Sequence, residues 1–419
     1  LFTIEGYLCA QIRRVFSLKF NQKQDGMVVP VLVSISLVHL LNDTMQSVVP
    51  AIYPLLYELY GFSYTQLGML TFANHLVASL AQPFIGAYTD RHPQPFLLPT
   101  GLFFTMMGMF LLAWSEMYVG FVVAVMLVGV GSSIFHPEGS RIVSLSSGSG
   151  KALAQSIFQV GGNSGQALAP LIAVLVFLPL GQRGALWFTA VAALAVLISV
   201  FLSVWYKERI ADLPQKSLSP SSLPKLLRSK IYVALALVML GIFSRTWFSA
   251  GIKDFLALYH KNETGMGEIY GQNLTFVFLL SAAIGTMIGG PIADRFGLKN
   301  TIVFSLLVSV PAAISINFAS GFWLPFALFA AGFTLYSTFS VSLIYTLQLL
   351  PGQVGKVAGL IFGVAFGLSS LGSMAWGMLA DQIGLGNMLF WCSWVPFFGV
   401  FTFFMPSEKA VRNWYEATE

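Results

Sequence analysis

Charge is what this chain has least of. Only 9% of its 419 residues are Asp, Glu, Lys or Arg, where an ordinary soluble domain carries about a quarter. That excludes a water-soluble globule. Cysteine is scarce too: Cys9 and Cys392 lie far apart and supply neither a disulfide framework nor a metal site. The first 26 residues lack the continuous apolar core of a signal peptide. They read either as a basic, partly amphipathic arm on the cytoplasmic surface or as a frayed or misassigned leader before Met27. No nucleophile is paired with a base, no metal-ligand cluster stands out and no soluble signalling domain is present. The chain is therefore expected not to be an enzyme and to need no cofactor.

What is abundant is apolar surface, at 56% hydrophobic residues with 37 Phe. Twelve apolar spans follow one another, at roughly 30–56, 65–88, 96–114, 119–143, 152–178, 184–206, 230–258, 269–290, 299–318, 321–349, 356–380 and 385–405. Each is long enough to cross a hydrocarbon core about 30 Å thick as a helix. The one long polar segment inside the chain, 207–229, reads as a cytoplasmic linker between two six-helix halves, 30–206 and 230–405. An arm, 1–29, precedes them and a tail, 406–419, follows. The expected fold is an all-α integral membrane protein of twelve transmembrane helices in two pseudo-symmetric halves.

Lys and Arg set the orientation. With the amino terminus in the cytoplasm, 18 of the 22 fall in the arm, the inner loops, the linker and the tail; only Arg183 and Lys261 fall outside, and Arg245 and Lys253 sit within a span. Both termini are then cytoplasmic. The net charge of +5 is a topology signal and implies no nucleic-acid partner.

The halves echo one another at an offset of 204 residues: Gly86–Asp90 (GAYTD) against Gly290–Asp294 (GPIAD), and Ile157–Val160 against Ile361–Val364. Gly150-Lys151 returns as Gly355-Lys356 at 205. Paired membrane repeats imply a substrate path at their interface, near the midplane.

Polar residues inside the spans mark that path. The stretch His39–Pro50, HLLNDTMQSVVP, puts His39, Asn42, Asp43 and Gln46 into the first span, with Asp43 roughly 20 Å deep. A carboxylate there costs at least about 2.5 kcal/mol unless it faces a partner or water. His39, Asp43 and Gln46 share one helical face. His136, Glu138 and Arg141 form the densest polar cluster in the fourth span; Glu138 and Arg141 could neutralise each other, or Glu138 could exchange partners and carry a proton with His136 as relay. Gln155, Gln159 and Asn163 recur every four residues on the fifth, suited to an oxygen-rich solute or to bonding a neighbouring helix. Gly161, Gly162 and Gly165 read as close helix packing.

The seventh span carries Arg245, Ser249 and Lys253 at the same interval, with Arg245 roughly as deep as Asp43. Arg245 could pair with Asp43, or clamp an anion through a bidentate fork. Lys253 and Asp254 lie nearer the outer surface and read as pairing or snorkelling there. The loop pairs Asp90-Arg91 and Asp294-Arg295, at the membrane edge, read with Arg141 as gating residues. Trp247, Phe248, Tyr336 and Tyr345 could line the path, though aromatics this abundant mostly face lipid or neighbours.

Gly290-Pro-Ile-Ala-Asp294-Arg295-Phe-Gly297-Leu-Lys299 resembles the inter-helix signature of the major facilitator superfamily, with a partial copy at Gly86–Arg91. The first copy departs from it at His92-Pro93-Gln94-Pro95. Four longer strings, HLLNDTMQSVVPAIYPLL, SSIFHPEGSRIV, LAQSIFQVGGNSG and LLPGQVGKVAGLIFGVAFG, resemble bacterial fosmidomycin resistance proteins. That resemblance implies export of a small anionic phosphonate drug across the inner membrane, driven by protons; the transporter is expected to be a monomer. For such export, the polar residues read above divide: Asp43, Glu138, His39 and His136 would handle protons. Arg245, Asn42, Gln46, Gln155, Gln159, Asn163 and Lys253 would hold substrate. The alternative is a uniporter or symporter for a sugar or organic-anion metabolite.

Overall fold

The computed structural model describes residues 26–148, 151–210, 225–351 and 354–416. Most of the expected arm, and the middle of the expected linker, lie outside the described residues.

Helices account for almost everything described. The first crossing is α1 (Val29–Ala51) continued by α2 (Tyr53–Tyr60), with Pro50 and Pro54 flanking the break. Then come α3 (Tyr64–Arg91), α4 (Leu97–Trp114), α5 (Tyr118–Ser146), α6 (Lys151–Ile172) and α7 (Ala185–Glu208). The second half has α8 (Lys225–Asn262), α9 (Glu268–Phe296), α10 (Leu298–Ser315), α11 (Trp323–Tyr336) with α12 (Phe339–Leu349), and α13 (Val354–Ile383). It ends with α14 (Leu385–Cys392), a 3-10 stretch Val395–Phe404 and the short α15 (Glu408–Glu416).

Ten of the described helical runs are long and apolar enough to cross a membrane. One of them, Leu153–Glu208, contains two crossings that turn back through a π turn at Ala173–Phe177 and a 3-10 turn at Gly181–Gly184. The remaining crossing is α3. Its Gln66, Asn74, His75 and Gln82 dilute its apolar character, yet 28 residues reach roughly 42 Å. Counted so, the described residues hold twelve crossings, six on each side of the polar segment.

Polarity runs from inside to outside, the reverse of a soluble protein. His39, Asp43, Gln82, Gln159, Asn163 and Arg245 are buried, while Phe84, Phe304, Phe318 and Leu197 are exposed. Such an exterior is stable only against lipid, where the helix satisfies its own backbone groups.

Two seams join the halves. α3 and α13 run antiparallel and nearly touch backbone to backbone at both ends. A methyl group on Gly377 would lie 2.6 Å from the Tyr64 carbonyl, one on Gly68 2.5 Å from that of Ser373, and one on Gly359 2.8 Å from that of Gln82. α6 and α9 form the other seam, where Asn163 Nδ2 donates to Thr286 Oγ1 at 2.6 Å. Gln272 Nε2 reaches the Ala51 carbonyl at 2.8 Å. α3 and α13 thus hold the two halves together along most of their length.

Candidate functional site

A cavity lies between α1, α3, α5 and α6 of one half and α8, α11, α12 and α13 of the other. His39, Asp43, Gln46, His75, His136, Gln159, Asn163, Gln166, Arg245 and Lys253 are among the residues lining it. Its volume is about 70 Å³, where about 10–15 Å³ of such space holds one water.

Asp43 is the hub of the first wall. Oδ1 accepts from Asn42 Nδ2 at 3.1 Å and Gln46 Nε2 at 3.3 Å, and Oδ2 accepts from Gln166 Nε2 at 3.1 Å. Two imidazoles face the same carboxylate: His39 Nε2 lies 3.5 Å from Oδ2 and His136 Nε2 3.7 Å from Oδ1. Each ring spends its other nitrogen on the main chain, His39 Nδ1 on the Phe158 carbonyl at 2.7 Å and His136 Nδ1 on that of Ser132 at 3.1 Å. A carbonyl only accepts, so both Nδ1 atoms carry hydrogen. In neutral rings both Nε2 lone pairs then point at the carboxylate.

The local fold accounts for this. His39 stacks on Phe158 with ring centroids 4.1 Å apart, and His136 packs on Phe362 of the other half at 4.8 Å. Gly162 supplies the clearance, since a methyl there would sit 2.4 Å from His39 Nε2 and 2.9 Å from Asp43 Oδ2. Gly161 and Gly165 instead let α6 ride on the Ser36 and Leu40 carbonyls of α1, the packing role expected of them. Donor atoms of His39, Asp43 and His136 lie within 4.8 Å of one another, so these three are the residues that could gather around a cation.

Arg245 dominates the opposite wall. It is 2% exposed, its Nη2 has no hydrogen-bond partner, and no carboxylate pairs with it among the described residues. Its guanidinium carbon stands 4.3 Å from the centre of the Phe339 ring and 5.7 Å from that of Tyr336. Ring stacking of this kind offsets up to about 2 kcal/mol of a desolvated cation's cost, well short of what burying a charge demands. The Asp43 salt bridge left open by the sequence is not made. Both groups face the one cavity, unpaired with each other.

Other sequence candidates fall elsewhere. Glu138 does not line the cavity: its Oε1 meets Arg141 Nη1 at 2.5 Å, and Arg141 Nη2 meets Asp90 Oδ1 at 2.7 Å. Asp90 Oδ2 then accepts from the Lys356 backbone nitrogen at 3.0 Å, at the start of α13. This chain ties α5 and α3 to the other half. Arg91, Asp294 and Arg295 are exposed, and the Arg295 guanidinium lies 5.4 Å over the Phe296 ring. Gln155 is buried outside the cavity with Nε2 unpartnered.

The expectation that Asp254 pairs or snorkels near the surface is corrected. Asp254 is buried in the cavity wall, and Ser373 Oγ donates to its Oδ2 at 2.5 Å.

Three further residues matter. His75 and Gln166 line the cavity; a scan for polar residues inside α3 and α6 would have found both. Asp381, at the end of α13, accepts from the Tyr64 and Thr65 backbone nitrogens at 3.2 and 2.9 Å, capping α3 from the other half. It mirrors Asp90, which caps α13 from α3. Lys261 adds an ion pair to Glu58 at 2.9 Å at the Asp381 end.

A family model described as Major Facilitator Superfamily matches residues 35–371. The chain belongs to the major facilitator superfamily. This facilitator is 41% identical over 399 residues to YfnC, an uncharacterised MFS-type transporter of Bacillus subtilis (strain 168), covering 95% of this chain and 98% of that one. It is 39% identical over 381 residues to the fosmidomycin resistance protein of Escherichia coli (strain K12), covering 90% and 93%. Among solved structures, the human organic anion transporter MFSD10 superposes with a TM-score of 0.68 at 16% identity, over 90% of this chain and all of that one. FucP in its outward conformation gives 0.64 at 14%, over 91% and 99%. Those two likenesses establish the fold. Membership of the superfamily makes the facilitator a multi-pass membrane transporter and not an enzyme.

Proposed function

We propose that this facilitator exports small anionic phosphonates of the fosmidomycin kind across a bacterial inner membrane in exchange for protons, with both termini cytoplasmic. One observation carries the reading: a buried Arg245, with no carboxylate partner among the described residues, shares one cavity with an Asp43 carboxylate that faces two imidazole Nε2 atoms. The Arg fork matches a phosphonate's oxygens in geometry and charge. Amides of Asn42, Gln46, Gln159 and Asn163, together with Lys253, complete the polar lining or support it. On the other wall, a proton arriving at either Nε2 turns a lone-pair repulsion into a charge-assisted hydrogen bond to Asp43. Asp43, His39 and His136 are then the proton site. The likeness to the fosmidomycin resistance protein supports this substrate class.

A uniporter or symporter of a sugar or metabolite anion is the second reading, and voltage keeps it in play. A phosphonate, like a phosphate monoester, carries between one and two negative charges near neutrality. A cytoplasm negative by 100 mV expels each charge with about 2.3 kcal/mol. Coupling is favoured by the proton-ready cluster and not by thermodynamic need. The deciding experiment measures fosmidomycin flux in liposomes of purified protein under a pH gradient, with voltage clamped at zero. Flux under the pH gradient supports antiport. Flux only under an imposed voltage selects the uniporter, and no flux under either overturns the substrate class.

A further inference from the structure

We infer that His39, Asp43 and His136 form a binding site for one divalent transition-metal ion of the Zn²⁺ class, a ligand distinct from the exported solute. The inference stands on the geometry of three side chains and holds whichever solute is carried.

The spacing is that of a metal's inner shell. Around a tetrahedral Zn²⁺ with bonds of about 2.0–2.2 Å, neighbouring ligand atoms lie roughly 3.3–3.6 Å apart. His39 Nε2 stands 3.5 Å from Asp43 Oδ2, and His136 Nε2 stands 3.7 Å from Asp43 Oδ1. Donor atoms of all three residues lie within 4.8 Å of one another, so the widest edge has to shorten by about 1.5 Å or less. His39 and Asp43 are four residues apart on α1, the spacing that sets two ligands on one helical face. α5 delivers the third.

The surroundings are also those of a metal site. A metal-binding imidazole donates its other ring N–H to a carbonyl or carboxylate, which fixes the tautomer and aims the free lone pair. Both rings do so here, His39 to the Phe158 carbonyl and His136 to that of Ser132. Amides of Asn42, Gln46 and Gln166 hold the carboxylate. Without a cation, two lone pairs face a group that only accepts. One proton answers one imidazole, whereas a dication answers all three groups at once. The trio lines the cavity, which leaves the metal's fourth position to water. The charged residues lining that cavity, Arg245 and Lys253 against Asp43 and Asp254, cancel, so no net positive charge keeps a dication out. Two imidazoles and one carboxylate select a borderline ion such as Zn²⁺, Co²⁺ or Ni²⁺, while Mg²⁺ and Ca²⁺ demand shells of about six or more oxygens.

The test is titration calorimetry of Zn²⁺ and Mg²⁺ into the full-length protein in detergent, freed of any affinity tag, followed by zinc-edge X-ray absorption on the loaded sample. The expected result is one Zn²⁺ per chain with a micromolar or tighter Kd, no heat from Mg²⁺, and a shell containing two imidazoles. His136→Gln and Asp43→Asn should each weaken Zn²⁺ at least tenfold, while His92→Gln, at an exposed residue beyond the end of α3, should not. Four results overturn the inference: no Zn²⁺ binding by the unmodified protein, a shell with fewer than two imidazoles and hence an adventitious ion only, full affinity in His136→Gln, or a loss in His92→Gln. The antiport reading survives each of them. The absorption spectrum is read on the unmodified protein, so a variant that fails to fold leaves the decision intact.

Discussion

Replacing Arg245 separates two accounts of that residue by sign. As a structural cation paired inside the fold, its loss would leave a partner unpaired and cost about 3–5 kcal/mol. It has no such partner among the described residues and only two ring faces for company. Arg245→Met, which keeps much of the volume and sheds the charge, should therefore stabilise the empty transporter by about 1 kcal/mol or more. Its melting temperature in detergent should rise. Binding should move the opposite way. Each charge-assisted hydrogen bond from the fork contributes about 1.5–3 kcal/mol. Arg245→Lys keeps a point charge but gives up one arm, and should weaken phosphonate binding about 10- to 150-fold at ~1.4 kcal/mol per tenfold. Arg245→Met should lose more than Arg245→Lys does. Thermal shift on the empty protein and calorimetry with fosmidomycin measure both quantities on the same samples. A lowered melting temperature with intact affinity would refute the argument.

Gly162→Ala should leave α6 packed but push the added methyl into His39 and Asp43; pH-driven export should fall at least tenfold while exchange of bound drug persists, and unchanged export would show that the Asp43 cluster tolerates displacement. The two reciprocal caps on the α3–α13 seam should act on opposite ends. Asp381→Ala should lengthen spin-label distances across its own end and Asp90→Ala across the other, each altering turnover with little effect on drug affinity. Distances unmoved in both variants would make the caps incidental.

Much of this was legible in the sequence because lipid enforces it. Hydropathy laid out the crossings, and only α3 blurred the pattern through its own cavity-lining polar residues. Asp43, His39 and Arg245 announced themselves as polar groups in apolar runs, a placement that is costly without a purpose. Their partners did not. Whether Arg245 meets Asp43 depends on how two halves sit 202 residues apart in sequence, and that packing left them on facing walls. His136 and Glu138 are two positions apart, yet successive helical side chains diverge by about 100°. His136 turns to Asp43 while Glu138 turns to Arg141 and the Asp90 cap. Asp381 was invisible because its partners, the Tyr64 and Thr65 backbone nitrogens and the Thr65 hydroxyl, lie in the other half, and a pattern within α13 does not reveal them. Gly162 looked like its neighbours Gly161 and Gly165, and only the atom above it sets it apart.

The central claim is that Asp43 and its two imidazoles take the proton that Arg245's anion is exchanged for. Drug efflux from liposomes under a pH gradient at zero voltage, compared between the unmodified protein and Asp43→Asn, tests it most directly. The account predicts that Asp43→Asn binds and exchanges drug but exports none under the pH gradient. Normal pH-driven export by Asp43→Asn would contradict it, and Glu138 would become the next candidate for carrying the proton.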